Sequence, residues 1–262
     1  ATRLSYFLWS SPPDDLLRAK AADGTLHRPE VLSAESRRML GDARTRRLAT
    51  EFACQWLHIY DFESLDEKSE KHFPEFGDLR SDMQEESIRF FSDLFQNDGS
   101  VLDILDADYT FANDRLAAFY GINAGVPGLK VGEADARGWR RVDGVRAVAR
   151  GGILGLSSTL AKQSGASRTS PILRGAWISE VLLGEKLPKP PADVPVLPED
   201  ETATDGLTVR QLVEKHVSDE RCSSCHRRID PFGFALEEYD AIGRHRKRDL
   251  AGRPLAAPAE AL

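Results

Sequence analysis

The 262-residue chain is poor in sulfur-containing residues and has no long hydrophobic run. It contains three cysteines and two methionines, and three cysteines are too few for a disulfide-stabilised scaffold of this length. Apolar runs such as residues 153–156 fall far below the roughly 18 residues that span a bilayer. The sequence therefore predicts no membrane span.

The chain also has no excess of positive charge. The chain has 35 Lys and Arg against 42 Asp and Glu, a formal net charge of −7, which argues against a nucleic-acid-binding surface. Acidic residues concentrate in residues 51–100. The simplest interpretation is a solvated helix face, and the alternative is a docking patch for a basic partner.

The composition is that of a folded protein, with 41% hydrophobic and 29% charged residues. Apolar residues recur at spacings of three and four, so the pattern predicts a mainly α protein made of two helical domains. The first helical domain, of no assigned function, is expected over residues 1–124, followed by a linker at 125–145 with a possible short strand at 139–142. The second is expected over 146–250, and residues 251–262 are expected to lead to a further domain. The chain starts without Met and is interpreted as part of a longer one.

Three local patterns organise the second domain. Five prolines and several acids at 187–206 predict an extended connector over the surface. Thr208 and Gln211 have the spacing of a capping box, which predicts a helix leading toward Cys222. Pro231, in the run DPFG at 230–233, predicts a turn that leaves the helix.

Cys222, Cys225 and His226 form a Cys-x-x-Cys-His motif. This is the attachment signature of c-type haem, in which two thiols add to the porphyrin vinyl groups and the adjacent His becomes an axial ligand of the iron. Chance alone would produce it in roughly one chain in a thousand of this composition. A zinc site, a redox dithiol and a structural disulfide are the alternatives, although zinc would need further ligands from elsewhere in the chain.

The residues around the motif suit a buried porphyrin. Phe232 and Phe234 are candidate cofactor contacts, and a backbone carbonyl in the predicted turn is a candidate acceptor for the Nδ1 proton of His226. Basic side chains that could meet the haem propionates are Arg227, Arg228, Arg244 and Arg246. Cys54, beside Trp56, is interpreted as a small buried hydrophobic residue.

The second axial ligand of the iron is less well defined by the sequence. Met39 and Met83 both lie far upstream of the motif, whereas His216 and His245 lie near it. His216, six residues before Cys222, is the first candidate and would give bis-His ligation with a lower potential than a His/Met pair. His245, a distant Met and an open site remain as alternatives.

Several further segments resemble the planctomycete-type multi-domain cytochrome c proteins, in which two adjacent domains of unknown function precede a short third one. In the first domain the resemblance rests on RLSYFLWS at 3–10, QWL at 55–57 and FANDRLA at 111–117. In the second it rests on RGGIL at 150–154, RTSP at 168–171, the Cys-x-x-Cys-His motif, IDPFGFALE at 229–237 and DAIG at 240–243. The resemblance implies a secreted or envelope haem protein. A His at position 216 fits the family pattern, whereas position 245 is usually aromatic there.

Together, the motif and the resemblance predict a c-type haem-binding electron-transfer module of a larger protein in the periplasm, the cell envelope or the extracellular space. The expected cofactor is one covalent haem c with its iron, and the expected partners are a redox protein and other domains of the same chain. Two alternatives remain: a peroxidase-like or oxidase-like enzyme with an open distal site, and a binding or scaffold protein with a structural haem.

Overall fold

The computed structural model describes residues 1–65, 67–188, 197–217 and 220–255. Residues 189–196 of the expected connector and residues 256–262 of the expected tail lie outside this part of the chain. In the described part of the connector, Glu201 and Thr204 are almost fully buried. This end of the connector is therefore packed into the protein rather than lying over its surface.

Helices make up about 52% of the protein. The α-helices are α1 (Thr2–Trp9), α2 (Asp15–Ala22), α3 (Pro29–Leu40), α4 (Arg46–Leu48), α5 (Cys54–Trp56), α6 (Phe76–Gln96), α7 (Asp103–Asp106), α8 (Asp114–Tyr120), α9 (Ser157–Lys162), α10 (Pro171–Trp177), α11 (Val209–His216) and α12 (Glu220–Ala235). Short 3-10 turns occupy Thr25–His27, Ala43–Thr45, Phe62–Ser64, Val145–Val148 and Ile153–Gly155, and π-helical segments follow α4 at Ala49–Ala53 and α10 at Ile178–Leu182.

The prediction of a mainly α protein with two helical domains is wrong, because the protein also contains a three-stranded antiparallel sheet. Strand β1 (Tyr109–Ala112) and strand β2 (Lys130–Val131) both pair with the central strand β3 (Arg140–Asp143). The aromatic and β-branched residues of β1 favour a strand, but four residues are too few for an alternating pattern to stand out. The fold is mixed and rich in helix.

Most buried hydrophobic side chains belong to one cluster, whose members run from Ala49 to Ile242. The cluster includes Phe90 and Phe91 of α6, Val142 of β3 and Trp177 of α10, so it draws on both sides of the expected 125–145 linker. A smaller cluster joins the N-terminal helices around Trp9, whose indole Nε1 donates to the Met39 carbonyl at 2.8 Å. The larger core therefore supports the elements that precede and follow the sheet.

Helix α6 carries part of the acidic 51–100 stretch, and two of its acids face inward. Asp82 and Glu86 are both buried. The Glu86 carboxylate accepts hydrogen bonds from the Thr110 and Tyr120 hydroxyls, each at 2.5 Å. Burial nevertheless raises the pKa of Glu86 to about 7, because the charged form loses its hydration.

Helices α10 and α12 approach each other backbone to backbone through glycine. A Cβ atom built on Gly175 would lie 2.0 Å from the Ile229 carbonyl oxygen, and one built on Gly233 would lie 2.0 Å from the Pro171 carbonyl oxygen. Each helix thus contributes one glycine to the contact. Any larger residue at either position would force the two helices apart.

The predicted turn at 230–233 is wrong, because α12 continues through Pro231 to Ala235. Proline inside a helix removes a backbone hydrogen bond and costs about 3 kcal/mol. Here the residues on both sides of Pro231 lie in the close contact with α10. Tertiary packing of this kind overrides the local preference to end the helix.

Replacing Gly175 with Ala is expected to destabilise the protein by about 2 kcal/mol or more, because the methyl group would collide with the backbone of α12. Urea unfolding followed by circular dichroism measures the effect. The matched control is Gly77→Ala, at an exposed position of α6 where an added Cβ meets nothing within 4 Å. The control should gain about 0.5 to 1 kcal/mol from helix propensity. Equal unfolding midpoints for the two variants would contradict the packing argument.

The burial of Glu86 predicts a pH dependence of stability. Between its ordinary pKa of 4.5 and its folded pKa of about 7, the folded chain retains a proton that the unfolded chain has released. Raising the pH through this window therefore lowers the free energy of unfolding. Between pH 5 and pH 7.5 the free energy of unfolding of the wild type should fall. In the neutral variant Glu86→Gln this fall should be smaller by about 1 to 3 kcal/mol. Parallel stability curves from urea unfolding would rule out this contribution.

Candidate cofactor site

The site is formed by helices α11 and α12. The predicted capping box is confirmed: the Thr208 side chain accepts from the Gln211 N–H, and the Gln211 side chain accepts from the Thr208 N–H. Helix α11 ends at His216, and α12 begins at Glu220. The capping box fixes the start of α11, and the helix length then brings His216 to its C-terminal end.

Cys222, Cys225 and His226 all lie in helix α12. Their spacings of three and four residues place them on one face, because an α-helix has 3.6 residues per turn. Both thiols are free and half-buried. The motif therefore presents two thiols and an imidazole on the same side of one helix.

Cys54 differs from the motif cysteines in its surroundings. It is fully buried in the larger hydrophobic cluster, which confirms its interpretation as a core residue. Burial raises the pKa of its thiol to about 12. A thiol that does not ionise is a poor nucleophile, so Cys54 is protected both by its pKa and by its lack of exposure.

The His226 ring is buried and makes a contact that was not predicted from the sequence. Its Nδ1 atom lies 2.9 Å and 3.0 Å from the two carboxylate oxygens of Asp230. The expected acceptor was a backbone carbonyl in a turn, but the helix continues and brings residue i+4 beside the imidazole. The His-x-x-x-Asp spacing was a signal that could have revealed this pair.

On the other helix, His216 contacts His226 directly. The two ring centroids are 5.3 Å apart, with an angle of 62° between the ring planes. The other candidate ligands have different neighbours. His245 packs against Tyr239 with centroids 5.8 Å apart, and the two methionines are buried in hydrophobic clusters. Of these candidates, His216 is the one whose ring contacts His226.

The two aromatic residues that were expected to contact the cofactor differ in position. Phe232 is 37% exposed and lies about 120° around α12 from His226, given a rotation of about 100° per residue. Phe234 is half-buried, and the Arg210 guanidinium lies 4.9 Å from the centre of its ring. The structure does not bring Phe232 onto the helix face that carries the motif.

The four arginines proposed for haem propionates have partners within the protein. Arg227 donates to the Ser223 carbonyl, and Arg228 lies 2.8 Å from Glu185. Arg244 pairs with Glu75, and Arg246 is largely buried against Glu201. Arg227 and Arg228 are the two that lie on α12 next to the motif.

Arg174 of α10 fixes the chain that follows α12, a role that was not predicted from the sequence. It is 1% exposed, and its guanidinium donates to the carbonyls of Leu236, Tyr239 and Asp240 at 2.6 to 2.8 Å. Burial lowers its pKa to about 10. This arginine supplies the donors for the carbonyls beyond the helix end and so holds α12 in place from its C-terminal side.

The donor set fits a covalently attached haem. Two free thiols stand on one helix face, the Nδ1 of His226 is already engaged by Asp230, and a second imidazole lies against the first. Among the residues that the structure describes, no group of three or more His, Cys, Asp or Glu is arranged to hold a metal ion by itself. Helices long and apolar enough to cross a membrane are likewise not found in the described ranges.

Two family models match the chain. Residues 1–122 match PSD4, described as a protein of unknown function (DUF1592), and residues 150–249 match PSCyt3, described as a protein of unknown function (DUF1588). The chain contains two adjacent domains of these families. By name only, both families are associated with planctomycete cytochrome c proteins. The matches do not show a haem motif. No curated protein and no solved structure matches the chain.

The exposure of the thiols predicts their reactivity in the protein without cofactor. Cys222 and Cys225 should both react with iodoacetamide under native conditions, while Cys54 should react only after unfolding. Intact-mass spectrometry would count two added groups before denaturant and three after it. Native labelling of Cys54 at the rate of the motif cysteines would contradict its burial.

Proposed function

We propose that the protein is a c-type haem-binding electron-transfer module of a larger secreted or envelope protein. In this proposal, Cys222 and Cys225 would form the thioether bonds, and His226 and His216 would bind the iron. The observation that carries it is the contact between the His216 and His226 rings beside two free thiols. The motif would supply one ligand for the iron, and the neighbouring helix α11 would supply a second.

When bound, a haem supplies a one-electron couple between ferric and ferrous iron. The residues of this chain have separate tasks in the proposal. Cys222 and Cys225 would anchor the group covalently, and His226 would bind the iron through Nε2, because Asp230 engages its Nδ1. Ligation by His216 would leave no open position for peroxide or oxygen, which favours electron transfer over oxygen chemistry.

The proposed location follows from the chemistry of attachment. Thioether formation requires reduced thiols, haem and a maturation system on the outer side of the cytoplasmic membrane. We therefore assign the protein to the periplasm, the cell envelope or the extracellular space. The proposed partners are a redox protein that exchanges electrons with the haem and further domains of the same chain.

The proposal is tested by expressing the protein together with a c-type maturation system. Intact mass should increase by one haem, and the reduced absorption spectrum should be low-spin. Replacing both Cys222 and Cys225 by Ala should abolish attachment. The matched control is Cys54→Ala, which removes a cysteine outside the motif and should retain the haem.

The distal ligand is tested by a second pair of variants. His216→Ala should keep the covalent haem but become high-spin and bind cyanide, because the iron loses one ligand. His245→Ala removes a histidine of the same domain and should leave the spectrum unchanged.

Three outcomes would overturn the proposal or part of it. An unmodified mass from a strain that matures other c-type cytochromes would refute haem attachment. A high-spin wild type that reacts with peroxide would favour the peroxidase-like enzyme. A covalent haem that exchanges no electrons with small redox dyes would favour a structural role.

A further inference from the structure

Asp230 and His226, which contact each other, are both buried. Asp230 is 8% exposed and His226 is 7% exposed, so water competes little for the hydrogen bond. Both carboxylate oxygens lie within 3.0 Å of the same ring nitrogen, Nδ1. A hydrogen bond to a charged acceptor in such surroundings is about twice as strong as one between neutral groups.

The backbone that carries Asp230 is held in place. The Ile229 carbonyl, next to Asp230, packs against Gly175 of α10. Gly233, three residues after Asp230, packs against the Pro171 carbonyl. Asp230 thus lies within the segment of α12 that packs closest against α10. A carboxylate on so constrained a backbone has little freedom to leave the imidazole.

We infer that Asp230 is the positioning residue of His226. Its carboxylate holds the proton of the neutral imidazole on Nδ1, which leaves the lone pair of Nε2, on the opposite side of the ring, available to a metal. The same hydrogen bond increases the electron donation of the imidazole. A stronger donor stabilises ferric over ferrous iron, so Asp230 lowers the reduction potential of the bound haem. The inference on the potential rests on the proposed function.

The first test needs no cofactor. Nitrogen-15 NMR of the imidazoles at alkaline pH distinguishes the two tautomers of the His226 ring. The wild type should carry the proton on Nδ1, and Asp230→Ala should shift the population toward the Nε2-protonated form. Asp230→Asn retains an oxygen acceptor and should keep the wild-type tautomer. An unchanged tautomer in Asp230→Ala would overturn the positioning role.

The second test measures the potential of the haem-loaded protein. At the potential where the wild type is half reduced, the reduced form of Asp230→Ala should exceed its oxidised form about tenfold. This ratio corresponds to a reduction potential about 59 mV higher than that of the wild type, for one electron. Asp230→Asn should shift in the same direction by less, because it loses the charge but keeps the hydrogen bond. The matched control is Glu214→Gln, which removes an exposed carboxylate from the neighbouring helix α11. Solvent screens that charge, so the potential of the control should stay at the wild-type value.

The outcomes separate this inference from the proposed function. Wild-type protein that loads haem, with wild-type potentials in both Asp230 variants, would overturn the role of Asp230 and leave the haem assignment intact. Equal shifts in Asp230→Asn and Glu214→Gln would also overturn it, since loss of any nearby charge would then suffice. Wild-type protein that acquires no haem in a competent strain would overturn both. The Asn variant matches Asp in size, so the test does not depend on the folding of the Ala variant.

Discussion

The close contact between helices α10 and α12 is the constraint on which the candidate site depends. Gly175 and Gly233 each let the backbone of one helix pack against a carbonyl of the other. The space between them is too small for a Cβ atom. Dispersion and burial over such a contact offset the hydrogen bond lost at Pro231. As a result, α12 remains one helix from the motif cysteines to Ala235, and the spacing of its residues sets the arrangement around His226.

Buried polar groups reinforce this contact from both sides. Arg174, next to Gly175, donates to backbone carbonyls of the chain that leaves α12, so the same helix that packs against α12 also fixes its exit. Further along, Arg246 pairs with the buried carboxylate of Glu201 and brings the connector end into the protein. Removing one partner from such a pair leaves a buried charge without compensation, which costs more than the pair contributes. Residues 150–249 are therefore held together by specific polar contacts as well as by apolar burial.

The His226 ring has two neighbours, one from its own helix α12 and one from α11. Asp230, on its own helix, engages one ring nitrogen, and His216, from α11, contacts the ring itself. The first contact follows from helical spacing within α12, and the second requires α11 to end beside the motif. In the proposed haem protein, these two neighbours would govern different properties. Asp230 would adjust the electron donation of the proximal imidazole, and His216 would decide whether the iron retains an open position.

The sequence by itself determined the features that depend on residues a few positions apart. The capping box at Thr208 and the Cys-x-x-Cys-His spacing on one helix face are of this kind. Burial of Cys54 was also predictable from its position beside Trp56. The sequence pointed to a short strand at 139–142, and the structure has β3 at Arg140–Asp143. Only the tertiary structure decided the pairing of β3 with β1 and β2, because these partners are short and lie across intervening loops. It also decided the continuation of α12 through Pro231, since the local preference for a turn is overridden by packing against residues more than fifty positions earlier in the chain.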